Sequence, residues 1–94
     1  PAYVYYFMDA MIQAAIQLGF DKEEAFNLVT QTFEGSVQLL KENTLSCQEW
    51  IQRVSSKGST TEAALSVFDQ SNVKNLIGKG VLRAENRSKE LSKS

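Results

Sequence analysis

The chain has 94 residues, of which 43% are hydrophobic and 10% aromatic, and its 10 basic and 11 acidic side chains give a net charge of −1. This balance argues against a polybasic nucleic-acid-binding surface, and no apolar run reaches the roughly 20 residues of a membrane span. A domain of this size buries only about 60–65% of its unfolded surface. The hydrophobic content exceeds what so thin a core can use, and we therefore expect a partner surface.

Two residue counts limit the chemistry. The chain contains no histidine, which excludes a Ser-His-Asp triad, a Cys-His pair and the usual zinc ligand sets. Its one cysteine, Cys47, excludes an internal disulfide and a cysteine-based metal cluster. We expect no metal site, and the single free thiol fits a reducing, cytoplasmic setting.

Helical spacing of apolar residues begins at the first residues of the chain. The segment AYVYYFMDAMIQAAIQLG repeats them every three or four positions and predicts a first helix. Pro1 suits its first turn and Gly19 the position just past its end. Asp21 and Glu24 have capping-box spacing and predict the start of a second helix, which we expect to end at Asn43.

Ser46 and Ser59 each begin the same capping pattern, with a glutamate three residues later. The first predicts a short third helix over roughly residues 47–54, and the second predicts a fourth helix. Asn72 is expected to start a last helix that frays in a polar tail. No segment alternates like a strand, so the predicted class is all-α, with five helices and short loops.

The joint between the third and fourth helices, VSSKGSTT, is rich in small hydroxyl residues. Two interpretations stay open. The N–H groups at a helix start and the nearby hydroxyls can hold a carboxylate or a phosphate. On spacing alone, helix capping by Ser59 in a flexible loop is the more ordinary interpretation, because serine and threonine caps are common.

Several motifs together resemble the C-terminal dimerisation domain of the pyrroline-5-carboxylate reductase family. They are PAY at the start, FMDAMIQAAIQLGF, AFNLVTQTFEGSVQLL and AENRSKEL, in that order, with VSSKGSTT in place of the family loop Val-Ser/Thr-Ser-Pro-Gly-Gly-x-Thr. Lys57 replaces the usual proline, and Ser59 replaces the second glycine. If that glycine has a conformation open only to glycine, Ser59 would be strained.

The resemblance implies a role for each loop residue. It places Ser56, Gly58, Ser59, Thr60 and Thr61 in the substrate site. The Ser56 hydroxyl and the N–H groups of Thr60 and Thr61 would bind the carboxylate of the pyrroline ring. The Thr61 hydroxyl would meet the imine nitrogen, which makes Thr61 the expected catalytic residue.

The resemblance also implies that residues 1–94 form a dimerisation and substrate-binding domain, intertwined with a second copy in a homodimer that can assemble further. The implied activity is reduction of 1-pyrroline-5-carboxylate to L-proline, in proline biosynthesis in the cytoplasm. NADP or NAD would be bound by an N-terminal domain that is absent here, so we expect this chain alone to be inactive. Two alternatives stay open: a relative with another imine or keto-acid substrate, and a purely structural helical module.

Overall fold

The computed structural model describes residues 1–93, and in it the chain forms five helices. They are α1 (Ala2–Gln17), α2 (Lys22–Glu42), α3 (Cys47–Val54), α4 (Thr60–Gln70) and α5 (Val73–Ser92). No strand occurs within residues 1–93. The predicted all-α class with five helices is therefore confirmed. The chain divides into two compact units, one from Pro1 to Cys47 and the other from Gln48 onward.

Helix α1 ends in a Schellman motif at Gly19. The Gly19 N–H donates to the carbonyl of Ile16 at 3.0 Å, and the Phe20 N–H donates to the carbonyl of Ala15 at 3.2 Å. Gly19 has φ +108°, which L side chains rarely adopt. The predicted stop at Gly19 is confirmed. Pro1 lies one position earlier than predicted, as the residue that precedes the first helical turn.

Helix α2 begins with the predicted capping box. An Asp21 carboxylate oxygen accepts from the Glu24 N–H at 2.8 Å, and the Glu24 carboxylate accepts from the Asp21 N–H at 3.1 Å. At the other end, Asn43 is the cap residue, and its side-chain amide donates to the carbonyl of Leu39 at 2.9 Å. Both predicted ends of this helix are confirmed.

The first unit is built on the contact between α1 and α2. Its buried residues are small, namely Ala15, Ala25 and Val29, so the two helix backbones can approach closely. In the described part of the second unit no residue is fully buried. Many large apolar side chains stay exposed, as the composition led us to expect. None of the helices within residues 1–93 combines the length and apolarity that a membrane crossing requires.

In the second unit α4 and α5 contact each other across a short turn. The Asn72 N–H donates to the carbonyl of Asp69 at 3.1 Å, and Asn72 itself is left-handed with φ 59°. Asparagine tolerates this conformation better than most residues, because its short polar side chain can bond locally. The predicted start of the last helix at Asn72 is confirmed, although its side chain makes no capping bond.

The capping box of α2 yields a stability prediction. Asp21→Ala removes the acceptor for the Glu24 N–H and should lower the free energy of unfolding by about 1 kcal/mol. Glu23→Ala is the matched control, since it removes an equal charge from the same turn but no capping bond, and should cost about 0.3 kcal/mol. Urea denaturation followed by circular dichroism measures both. Equal losses in the two variants would show that charge, and not the cap, stabilises this helix start.

Candidate anion-binding site at the start of helix α4

The loop before α4 contains a tight turn from Ser56 to Ser59. The Ser59 N–H donates to the Ser56 carbonyl at 3.0 Å, and Gly58, at the third position of the turn, has φ +79°. This is the pattern of a type II turn, which needs a positive φ at its third position and favours proline at its second. Lys57 occupies that second position, so its replacement of the family's proline is compatible with the same turn.

Ser59 caps α4. Its hydroxyl oxygen accepts from the Glu62 N–H at 3.1 Å, as the capping pattern predicted. Its backbone is extended, with φ −77° and ψ 164°, a conformation that any residue adopts. The strain that a glycine-only conformation would impose on Ser59 is therefore not present. Gly58 alone carries the left-handed conformation in this loop.

The second half of the expected capping box is shifted by one residue. In a regular box the Glu62 carboxylate would accept from the Ser59 N–H. That N–H is already used by the turn, and Glu62 Oε1 accepts instead from the Gly58 N–H at 2.9 Å. The sequence pattern identified Glu62 as a capping residue but did not reveal this bond across the turn.

Two adjacent N–H groups at the start of α4 are left open. Between Gly58 and Glu62, the N–H groups of Gly58, Ser59 and Glu62 all donate within the loop. Those of Thr60 and Thr61 donate to no residue in the range 1–93. Unpaired N–H groups at a helix start carry partial positive charge and suit a carboxylate or phosphate oxygen.

The five residues predicted for the substrate site lie in one continuous segment of this loop and helix start. They are Ser56, Gly58, Ser59, Thr60 and Thr61. Their parts differ: Gly58 and Ser59 shape the segment, while Thr60 and Thr61 supply the open N–H groups. The Ser56 hydroxyl makes no hydrogen bond within the described residues. Ser59 and Thr61 are half-buried and Thr60 is exposed.

A small polar depression of about 280 Å³ lies beside the loop, lined by Ser55, Glu62, Leu65, Ser66 and Asp69. The Ser55 hydroxyl donates to the carbonyl of Ile51 and so bonds the loop to the end of α3. No group of three or more cysteine, aspartate and glutamate side chains within residues 1–93 is placed to hold a metal ion. Among the described residues of this loop and helix start, the groups suited to bind an anionic ligand are hydroxyls and backbone N–H groups.

Residues 1–91 match a sequence family described as "Pyrroline-5-carboxylate reductase dimerisation". The chain belongs to the pyrroline-5-carboxylate reductase family. It is 35% identical, over 99% of its length, to a pyrroline-5-carboxylate reductase of Pasteurella multocida, and it covers 34% of that protein. The resemblance drawn from the loop and helix motifs is confirmed.

Two solved structures of the family are similar to this chain. A pyrroline-5-carboxylate reductase from Coxiella burnetii superposes with a TM-score of 0.91 at 41% identity, over 97% of this chain and 34% of that one. The Plasmodium falciparum pyrroline carboxylate reductase, solved with NADP bound, gives 0.81 at 32% identity over 84% of this chain and 30% of that one. The chain thus spans about a third of the length of its relatives.

The turn geometry predicts the effect of restoring the family's proline. Lys57→Pro should raise the free energy of unfolding by about 0.4–1 kcal/mol, because proline restricts the unfolded chain and suits the second position of a type II turn. Lys57→Ala is the control and should leave stability within about 0.5 kcal/mol of the original. Chemical denaturation measures both. A loss of stability in Lys57→Pro would show that the turn is of another type.

Proposed function

We propose that this chain is the dimerisation and substrate-binding part of a reductase that converts 1-pyrroline-5-carboxylate to L-proline with NAD(P)H. The observation that carries the proposal is the pair of open N–H groups at Thr60 and Thr61, in the loop that resembles the family's signature. Membership of the family, with relatives named as pyrroline-5-carboxylate reductases, supports it.

The loop would bind the substrate through its carboxylate. The N–H groups of Thr60 and Thr61 point out of the first turn of α4, where the helix dipole adds favourable charge. A carboxylate has two oxygens, so one such group can accept from both. The Ser56 hydroxyl, across the turn, would supply a third donor. Charge-assisted bonds of this kind are stronger than bonds between neutral groups.

The Thr61 hydroxyl would lie beside the imine of the bound ring. Carboxylate and imine nitrogen are separated by one ring carbon, so the residue whose N–H binds the carboxylate can also reach the nitrogen through its side chain. Thr61 would then hold the nitrogen by a hydrogen bond, and the proton that the nitrogen gains would come from water. Bound NAD(P)H supplies the hydride for the carbon of the C=N bond. This arrangement orients the substrate without a histidine.

The nicotinamide cofactor fits another part of the reductase. This chain has no Gly-x-Gly-x-x-Gly segment, and its described residues form helices only, whereas dinucleotide folds place that segment between a strand and a helix. A family member from Plasmodium falciparum has been solved with NADP bound. We place the cofactor in an N-terminal domain of the intact reductase, and we expect the reductase to act in the cytoplasm. The present chain alone is expected to be inactive.

The chain would function as a homodimer with intertwined helices, open to further assembly. Helix α5 supports this, because five of its large apolar residues remain between 40% and 59% exposed; they are Leu76, Ile77, Val81, Leu82 and Leu91. In the first unit, Val4, Met8, Phe33 and Val37 line an apolar groove between α1 and α2. Surfaces of this extent in a small domain indicate protein contacts, and the matched family is one of dimerisation.

Activity of the intact reductase tests the site. Thr61→Ala should lower kcat/KM for 1-pyrroline-5-carboxylate by about 10- to 100-fold, as expected for the loss of one hydrogen bond to a nitrogen that becomes charged. Thr61→Ser keeps the hydroxyl and should recover most of the loss. Thr60→Ala keeps its backbone N–H and serves as the matched control, with activity near the wild type. The absorbance of the reduced nicotinamide, which falls as it is oxidised, follows the reaction.

Two results would favour the alternatives. Full activity in Thr61→Ala is the result that a purely structural helical module predicts, and it would exclude the Thr61 hydroxyl from the reaction. A wild-type enzyme that reduces another cyclic imine or a small keto acid in preference to 1-pyrroline-5-carboxylate would indicate a changed substrate, for which Lys57 and Ser59 are the motivating departures.

The dimer is tested on the exposed face of α5. Leu76→Asp places a charge on that face and should raise the dimer dissociation constant by about 100-fold or more, because a desolvated, unpaired charge is costly. Lys74→Asp is the matched control on the same helix and should change it little. Sedimentation velocity over a range of concentrations measures both. An unchanged dimer in Leu76→Asp would place the interface on other helices.

A further inference from the structure

Glu62 is bonded to the substrate loop at two points. Its carboxylate accepts from the Gly58 N–H at 2.9 Å, and its own N–H donates to the Ser59 hydroxyl at 3.1 Å. Thr60 and Thr61 lie in the chain between these two loop residues and Glu62. Glu62 therefore joins the apex of the turn to the first turn of α4, and its bonds span the segment that contains the open N–H groups.

Without the Glu62 carboxylate, Gly58 would lose the only partner of its N–H within the described residues. Gly58 is also the most permissive residue of the loop, because glycine populates many backbone conformations that other residues do not. An unrestrained glycine here would let the turn move relative to α4. The Ser56 hydroxyl, on the far side of that turn, would then move relative to the N–H groups of Thr60 and Thr61.

We propose that Glu62 is a positioning residue for the substrate: it holds the turn against α4 so that the Ser56 hydroxyl and the open N–H groups converge on one carboxylate. This inference rests on the proposed function of the loop. Glu62 touches neither substrate nor cofactor in this role, and its effect passes through Gly58 and Ser59.

The charge of Glu62 works against the same ligand. A carboxylate in the first turn is favourable for the helix itself, but it repels an anion bound at the adjacent N–H groups. A neutral acceptor of similar shape would hold Gly58 without that repulsion. Glu62→Gln is such a change, since the glutamine side-chain oxygen can accept from the Gly58 N–H. The two variants Glu62→Ala and Glu62→Gln therefore distinguish the effect of the hydrogen bond to Gly58 from the effect of the negative charge.

The test uses the intact reductase with 1-pyrroline-5-carboxylate as substrate. Glu62→Ala should raise the KM for 1-pyrroline-5-carboxylate by about 3- to 10-fold, the effect of one lost hydrogen bond, and leave the KM for NAD(P)H unchanged. Glu62→Gln should show a KM equal to or below that of the wild type. Asp69→Ala is the matched control, because it removes a carboxylate from the same helix and the same depression without a bond to the loop.

A structural readout accompanies the kinetics. Amide hydrogen exchange at Gly58, measured by NMR or mass spectrometry, should accelerate by at least about 3-fold in Glu62→Ala and stay near the wild-type rate in Glu62→Gln and Asp69→Ala. If Glu62 only stabilised the helix, Glu62→Ala would instead lower the melting temperature and the fraction of active enzyme, with no change in KM.

The outcomes separate this inference from the function on which it rests. An active wild-type enzyme with unchanged KM and unchanged Gly58 exchange in Glu62→Ala would overturn the positioning role and leave the proposed function intact. A raised KM in Glu62→Gln equal to that in Glu62→Ala would also overturn it, since the acceptor is kept in one and lost in the other. A wild-type enzyme that does not reduce 1-pyrroline-5-carboxylate would overturn both.

Discussion

At the start of a helix the first N–H groups have no carbonyl partner within the helix, and the chain must provide other acceptors or leave them to a ligand. At α2 the reciprocal bonds of Asp21 and Glu24 satisfy the N–H groups of the cap residue and of the third helical residue. At α4 the type II turn takes the Ser59 N–H, the Ser59 hydroxyl takes the Glu62 N–H, and the Glu62 carboxylate accepts from Gly58. At both starts the N–H groups of the first two helical residues stay open within residues 1–93, and at α4 these residues are Thr60 and Thr61. The start of α4 differs in that its open groups adjoin a tight turn with further hydroxyls, in the loop that resembles the family's signature.

The thin core has consequences for the site as well as for stability. Three small buried residues join α1 and α2, and the second unit buries none completely within the described range. A domain of this size buries little apolar surface by itself, and many of its large apolar side chains stay exposed. The loop that we propose to hold a small anion therefore depends on local restraint, which the bonds around Gly58, Ser59 and Glu62 provide without a large core.

The sequence alone revealed much of this, because the signals are local. Gly19, Asp21 and Ser59 end or begin helices through bonds to residues within four positions, and such bonds can be inferred from spacing. The bond from Gly58 to Glu62 could not be inferred in this way. It depends on the turn having first used the Ser59 N–H, a competition that spacing does not show. Which apolar faces a second copy covers is likewise a non-local property.

The two departures from the family loop bear on the choice of substrate. Either replacement would have indicated a reshaped site if it had fallen at a position whose backbone conformation requires glycine or proline. Within this loop only Gly58 has the left-handed conformation. Ser59 is extended and uses its hydroxyl as a cap, and Lys57 lies where proline is favoured but not required. The backbone that supplies the open N–H groups of Thr60 and Thr61 thus tolerates both replacements. Lys57 and Ser59 therefore give no conformational reason to assign this chain a substrate other than that of its relatives.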